Sequence, residues 1–263
     1  MGKITFLGTG TSQGVPMIGC NCYVCKSSDS KDNRLRTSAY IEYDGFKILI
    51  DCGPDFRQQF LREDITQLDA VILTHQHKDH TGGLDDIRAF NYFRKEAFPI
   101  YAEENVQNSL KMEYSYAFSE HKYPGVPEYD LRTISADPFT ISKTLEDGSV
   151  KSITITPIRV YHYKLPILGF RFGNMAYITD GSSIPADQME KLKGLDLFII
   201  NTVRKEKHIS HFSLPEALDI IKEVGAPRNY ITHLSHQIGT HKELLELLPD
   251  NVLPAYDGLK VDF

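Results

Sequence analysis

"VILTHQHKDHTGGLDDIRAF", residues 71–90, decides how this chain is read. It opens on a β-rich apolar run and then places His75, His77, Asp79 and His80 within six positions. On an extended segment, side chains two apart point the same way, so the rings of His75 and His77 reach one ion together. Asp79 and His80 fall at the start of a predicted helix, from which they turn toward a second ion beside the first. A lone histidine is more often a satisfied structural residue than a ligand. Four ligand-type side chains between a buried strand and a helix are harder to explain by packing, because without a metal their donors and acceptors would go unsatisfied.

Working upstream, "LDAVILT" is a buried strand and "PDFRQQFLRE" a short helix opened by Pro54. "SAYIEY" and "FKILID" flank Asp44-Gly45, a type I′ hairpin signal. Residues 3–7 form a first strand, followed by a long irregular loop at about 9–37 that is too long to be a passive connection. Downstream, the pattern predicts a helix from Asp79 to Phe93 despite Gly82-Gly83, then a strand over 99–102 and a helix over 103–112. Residues 113–148 read as loop with short strands. "SITITPIRVY" and "GFRFGNMAYIT" are strand runs, and 185–193 reads as a helix. "LDLFIIN", "LPEALDIIKEVGA" with Gly225 as its C-cap, "NYITH", "KELLELL" and a closing strand complete the chain. Strands in each half with helices between them fit two sheets covered on their outer sides, in one domain spanning 1–263.

The bulk properties narrow the class. Of 263 residues, 41% are hydrophobic and 24% charged, the balance of a soluble globular protein. No apolar run approaches the roughly 18–20 residues that span a bilayer. The start lacks the pattern of a secretory signal, so a cytoplasmic location is expected, with no membrane partner. A net charge of −6 argues against sequence-independent nucleic-acid binding. The basic stretch "RKEKH" (204–208) reads as a solvated loop.

"THQHKDH" resembles the signature of the metallo-β-lactamase superfamily, and the resemblance runs the full length. "ILIDCGP" matches the family's strand ending in Asp51. "VYHYK" supplies His162, "YITDG" Asp180 and "ITHLSH" His233. The resemblance implies an α+β fold, the αββα sandwich, with two mixed β-sheets and helices on both outer faces. It implies that His75, His77 and His162 hold one ion, that Asp79, His80 and His233 hold another, and that Asp180 bridges them. Asp51 would orient a ligand histidine. Histidine and carboxylate donors suit two divalent ions, zinc or manganese, with iron a further option.

"GCNCYVC" places Cys20, Cys22 and Cys25 as C-x-C-x2-C, close enough to wrap one structural zinc. His236 is chosen as the fourth ligand, with His241 and Cys52 as weaker candidates. Cys52 also reads as a small packed hydrophobe. This loop, with "LGTGTSQGVPMIGCNCYVC" and "THLSHQ", resembles the PhnP phosphodiesterase subfamily, which opens phosphoribosyl 1,2-cyclic phosphate. The resemblance implies a phosphodiesterase acting on a small or cyclic phosphodiester. In "HFSLPEAL", His211 matches the subfamily's non-ligand catalytic histidine, and His208 is read as a surface residue. The expected catalytic residues are His211, Asp180 and Asp79. A hydroxide between the ions, positioned by Asp180, would attack phosphorus while His211 protonates the departing oxygen.

Two regions depart from the pattern: "GGLDDIRAFNYF", with its paired Asp85-Asp86, and segment 113–148, which carries no motif. The alternatives are a tRNase Z-like ribonuclease, a lactone or thioester hydrolase, and a PqqB-like carrier. In tRNase Z an RNA-binding arm lies between the ligands matching His162 and Asp180, where this chain has only 17 residues. The expected partner is a small-molecule phosphodiester; a homodimer is left open.

Overall fold

The computed structural model describes residues 2–263. Two seven-stranded sheets face each other. The first has the order β14-β1-β2-β3-β4-β5-β6, from β1 (Gly2–Gly8), β2 (Ser38–Tyr43), β3 (Phe46–Ile50), β4 (Ala70–Ile72), β5 (Phe98–Ala102), β6 (Tyr129–Thr133) and β14 (Lys260–Asp262). The second has the order β13-β12-β11-β10-β9-β8-β7, from β7 (Phe139–Thr144), β8 (Val150–His162), β9 (Leu165–Phe172), β10 (Met175–Ile178), β11 (Leu197–Asn201), β12 (Arg228–Thr232) and β13 (Val252–Pro254). Each sheet is antiparallel on one side and parallel on the other, the change falling at β3 in the first and β10 in the second. These are the two mixed sheets of an αββα sandwich.

Alternation along the strands explains the layers. Ile48 and Ile50 of β3, Ala70 and Ile72 of β4, and Leu197 and Ile199 of β11 point into a core shared by both sheets with Phe170 and Tyr177. Their neighbours Leu49 and Val71 point outward, under α1 (Phe56–Arg62) and α4 (Glu104–Glu113), whose Phe56, Phe60, Val106 and Leu110 cover that face. Phe198 and Ile200 point the other way, under α6 (Leu214–Val224) and α7 (His241–Leu247). A strand buried on both faces must be apolar at every position, which is why "AVIL" and "LFII" show no alternation. The Asp44-Gly45 turn has positive φ at both residues, 48° and 77°, as a type I′ hairpin requires.

Two predicted helices differ. The helix expected from Asp79 to Phe93 is broken into α2 (Lys78–Thr81), a 3-10 turn (Leu84–Ile87) and α3 (Arg88–Arg94). The break falls at Gly82-Gly83, where the chain presses against the loop after β3: a Cβ on Gly83 would lie 2.0 Å from the Gly53 carbonyl oxygen. The helix expected over 185–193 is instead a 3-10 helix, Ala186–Leu192. Segment 113–148 contains α5 (Ser115–Phe118) besides β6 and β7. No helix among the described residues is long and apolar enough to cross a membrane.

Candidate metal centres

The site forms at the carboxyl ends of the parallel strands, where loops rather than ladder partners follow each strand and side chains are free to converge. Asp51 follows β3, His75 follows β4, Asp180 follows β10 and His233 follows β12; His162 ends β8. Asp51, Asp180 and His233 all adopt left-handed backbone, with φ of 62°, 59° and 59°. That conformation costs a non-glycine residue on the order of 1–3 kcal/mol and is characteristic of functional sites.

Hydrogen bonds set the ring orientations. Asp51, fully buried, accepts from His80 Nδ1 at 2.7 Å. It also accepts the Thr74 N–H at 2.8 Å and the Thr74 hydroxyl at 2.9 Å. The same hydroxyl lies 2.9 Å from His75 Nδ1 and, having given its proton to Asp51, accepts from that ring. One carboxylate thus orients two histidines, where the sequence reading expected one. His162 Nδ1 donates to the Ser210 carbonyl at 2.7 Å. In His75, His80 and His162 the Nε2 atoms are left facing the gap.

Ligand atoms converge in three overlapping sets: His75, His77 and His162; His75, His80 and Asp180; His162, Asp180 and His211. His75 Nε2 and His77 Nδ1 are 3.0 Å apart. His80 Nε2 lies 3.2 Å from both Asp79 Oδ2 and Asp180 Oδ2, yet it is buried without a hydrogen-bond partner. An orphaned, fully buried imidazole nitrogen between two carboxylates fits a divalent ion. The expected trio of Asp79, His80 and His233 is looser: His233 Nδ1 is 3.3 Å from Asp180 Oδ2, but His233 belongs to none of the three sets. His211, expected to be a non-ligand, stands in one of them.

Protonation suits metal binding. Burial pushes His75 well below the ordinary histidine value and lowers His77 and His233, keeping their lone pairs free. Burial opposes ionisation of Asp180, but His233 and His80 outweigh it and hold the carboxyl well below its usual range. Asp79 is held down in the same way, chiefly by His80. Burial also works against a charge on His80, but Asp180, Asp51 and Asp79 override it and hold its pKa well up. A divalent ion at this ring would answer the same three carboxylates that favour a charge there.

The structure also brings together the four donors expected of the cysteine loop and its partner histidine. Cys20, Cys22, Cys25 and His236 bring four donor atoms within 4.8 Å of one another. The Sγ atoms of Cys20 and Cys22 are 3.4 and 3.3 Å from His236 Nδ1. A tetrahedral zinc with Zn–S of about 2.3 Å and Zn–N of about 2.0 Å spans an edge close to that. All four cysteines are free. The weaker candidates lie elsewhere: Cys52 is fully buried in the apolar layer under α1, and His241 packs on Tyr256.

The chain matches the beta-lactamase superfamily domain over residues 47–234. It belongs to that superfamily. That membership, with the likenesses below, supports a metal-dependent hydrolase. A solved structure of a new diphosphatase from the PhnP family is 39% identical, covering 100% of this chain and 98% of that one, with a TM-score of 0.88. A protein named octanoyltransferase from Porphyromonas gingivalis is 45% identical over 98% of this chain. This chain spans only 51% of that protein's length. Ribonuclease Z from Methanopyrus kandleri is 25% identical, covering 88% of this chain and 92% of its own.

Several contributors escaped the sequence reading. Thr74 carried a signal: Thr74-His75, Thr179-Asp180 and Thr232-His233 repeat a threonine before the metal-capable residue at three strand ends. The Ser210 carbonyl, being backbone, carried none. His208, expected at the surface, is half-buried, its ring centroid 5.1 Å from that of His211.

Proposed function

We propose that this protein hydrolyses a small or cyclic phosphodiester, with His211 serving the departing oxygen. The observation that carries this is His211 Nδ1, which is buried without a partner and lies 3.8 Å from Asp180 Oδ1, in the ligand-type set it shares with His162. Divalent ions held by His75, His77, His162, Asp79, His80, Asp180 and His233 would supply positive charge toward the phosphoryl oxygens and make water acidic near neutral pH. Asp51 and Thr74 keep two of those rings in register.

Burial, and then the neighbouring His233, pushes His211 down to about 3, against the pull of Asp180. In the free protein the ring is therefore a neutral N–H donor. An anionic phosphodiester beside it would oppose the burial effect and favour the imidazolium. Acyl transfer through a cysteine would need an accessible thiol, whereas Cys52 is sealed in the core and the other three cysteines converge on His236. A ribonuclease with an RNA-binding arm finds no support, because the residues between His162 and Asp180 are consumed by the hairpin of β9 and β10.

The diphosphatase likeness favours a second reading, cleavage of a phosphoanhydride, in which phosphate is the leaving group. One variant separates the two. His211→Ala should keep its metal and lose ~10²–10⁴-fold in turnover of an alkyl phosphodiester, with a much smaller loss on an aryl diester, whose leaving group needs little help. Equal loss on both would make His211 a binding residue. Ready turnover of diphosphates, with little effect of the variant, would favour the anhydride reading. Loss of metal would make His211 a ligand, as its set with His162 and Asp180 allows.

A further inference from the structure

The cysteine loop grips the segment that carries both His233 and His236. The Thr9 carbonyl accepts from Leu234 N–H at 2.7 Å. Arg34 donates from Nη1 to the Ser235 carbonyl at 3.0 Å, and from Nη2 to the Gly239 carbonyl at 2.9 Å and to Asp32 Oδ1 at 3.2 Å. Asp32 Oδ1 in turn accepts the His241 N–H at 2.6 Å. Arg34 is 1% exposed, so these bonds are made where water does not compete.

At the end of the loop, the Thr37 hydroxyl donates to the Gly10 carbonyl at 2.7 Å and lies 3.0 Å from His233 Nδ1. A hydroxyl that has given its proton away can only accept from the ring. His233 is thereby held with its proton on Nδ1 and the Nε2 lone pair left for a metal. The other neighbours of that nitrogen, Asp180 Oδ2 at 3.3 Å and Thr179 Oγ1 at 3.4 Å, are more distant.

We propose that Thr37 is the positioning residue of His233, and that the cysteine loop makes metal affinity at the histidine site depend on the integrity of the thiolate cluster. The proposal rests on reading His233 as a ligand. Because such coupling is reciprocal, loading the histidine site would also tighten the thiolate site.

Titration of the metal-free protein with cobalt(II) tests it without measuring turnover. Thiolate-to-metal absorption reports the cysteine cluster, and the visible bands under chelator competition report the histidine site. Thr37→Val should leave the thiolate signal and the melting temperature close to wild type, since the Gly10 carbonyl keeps the Thr37 N–H at 3.1 Å. It should weaken one histidine-site ion by ~10–100-fold, and Thr37→Ser should restore it. Cys22→Ala should abolish the thiolate signal and weaken the same ion. Unchanged histidine-site affinity in Thr37→Val overturns the positioning role. Unchanged affinity in Cys22→Ala, with its thiolate signal gone, overturns the coupling. His233→Ala tells the premise from the proposal. If it keeps wild-type affinity for both ions, the ligand reading falls and the proposal with it. If it loses an ion that Thr37→Val retains, only the proposal falls.

Discussion

Gly83→Ala adds one methyl group at the contact that places the ligands of α2. Gly83 has φ of −99° and ψ of 0°, open to any residue. Backbone preference alone would therefore make alanine stabilising by roughly 0.4–1 kcal/mol. The new Cβ, however, would lie 2.0 Å from the Gly53 carbonyl oxygen and 2.8 Å from Phe56 Cβ, well inside ordinary contact. Two backbone segments would have to separate by more than an ångström. They are joined by Cys52 N–H to the His80 carbonyl at 2.8 Å and Gly83 N–H to the Cys52 carbonyl at 2.9 Å. Overpacking costs about 1–3 kcal/mol, and weakening two hydrogen bonds adds about 1 kcal/mol each. For a chain of this size the melting temperature should fall by roughly 5–15 °C.

Separation also carries Asp79 and His80 away from Asp51, and a shift of about 1 Å at a site can cost ~100-fold in rate. The assay is metal content after dialysis, melting temperature, and kcat/KM on an aryl phosphodiester. Gly194→Ala serves as the control: its φ is +67° but nothing lies within 4 Å of its Cβ position. It should cost about 1 kcal/mol and keep its metals. A Gly83→Ala protein with wild-type metal content, melting temperature and turnover would refute the argument that this contact sets the ligand positions.

Two further outcomes are expected. Arg34→Met strands the buried Asp32 carboxylate and the Ser235 and Gly239 carbonyls, so unfolding should show a loss of about 3–5 kcal/mol, with part of it recovered when Asp32→Asn is added; strict additivity of the two changes would deny the pairing. Chelation should remove the histidine-site metal first and the thiolate-held ion last, after which three thiols react in the folded protein. Cys52, fully buried, should react only on unfolding, and four fast thiols in the folded protein would contradict its placement.

The chain's own sequence determined the strands, the Asp44-Gly45 hairpin and which ligand-type side chains are available to each metal-capable cluster. Those features are recorded in short spacings: apolar runs, a turn dipeptide, and ligand-type residues two or three apart. Distant contacts decided the rest. Periodicity continued a helix through Gly82-Gly83, but a carbonyl 30 positions earlier, at Gly53, ends it there. Asp51 read as the partner of one histidine, yet the Thr74 hydroxyl extends its hold to a second. His208 carried no local sign that its ring packs on His211. The proton of His233 is governed by Thr37, 196 residues away. Local sequence specifies which side chains are available and which way a segment runs; which nitrogen faces a metal, and which ring faces substrate, depends on atoms that only folding brings within hydrogen-bonding distance.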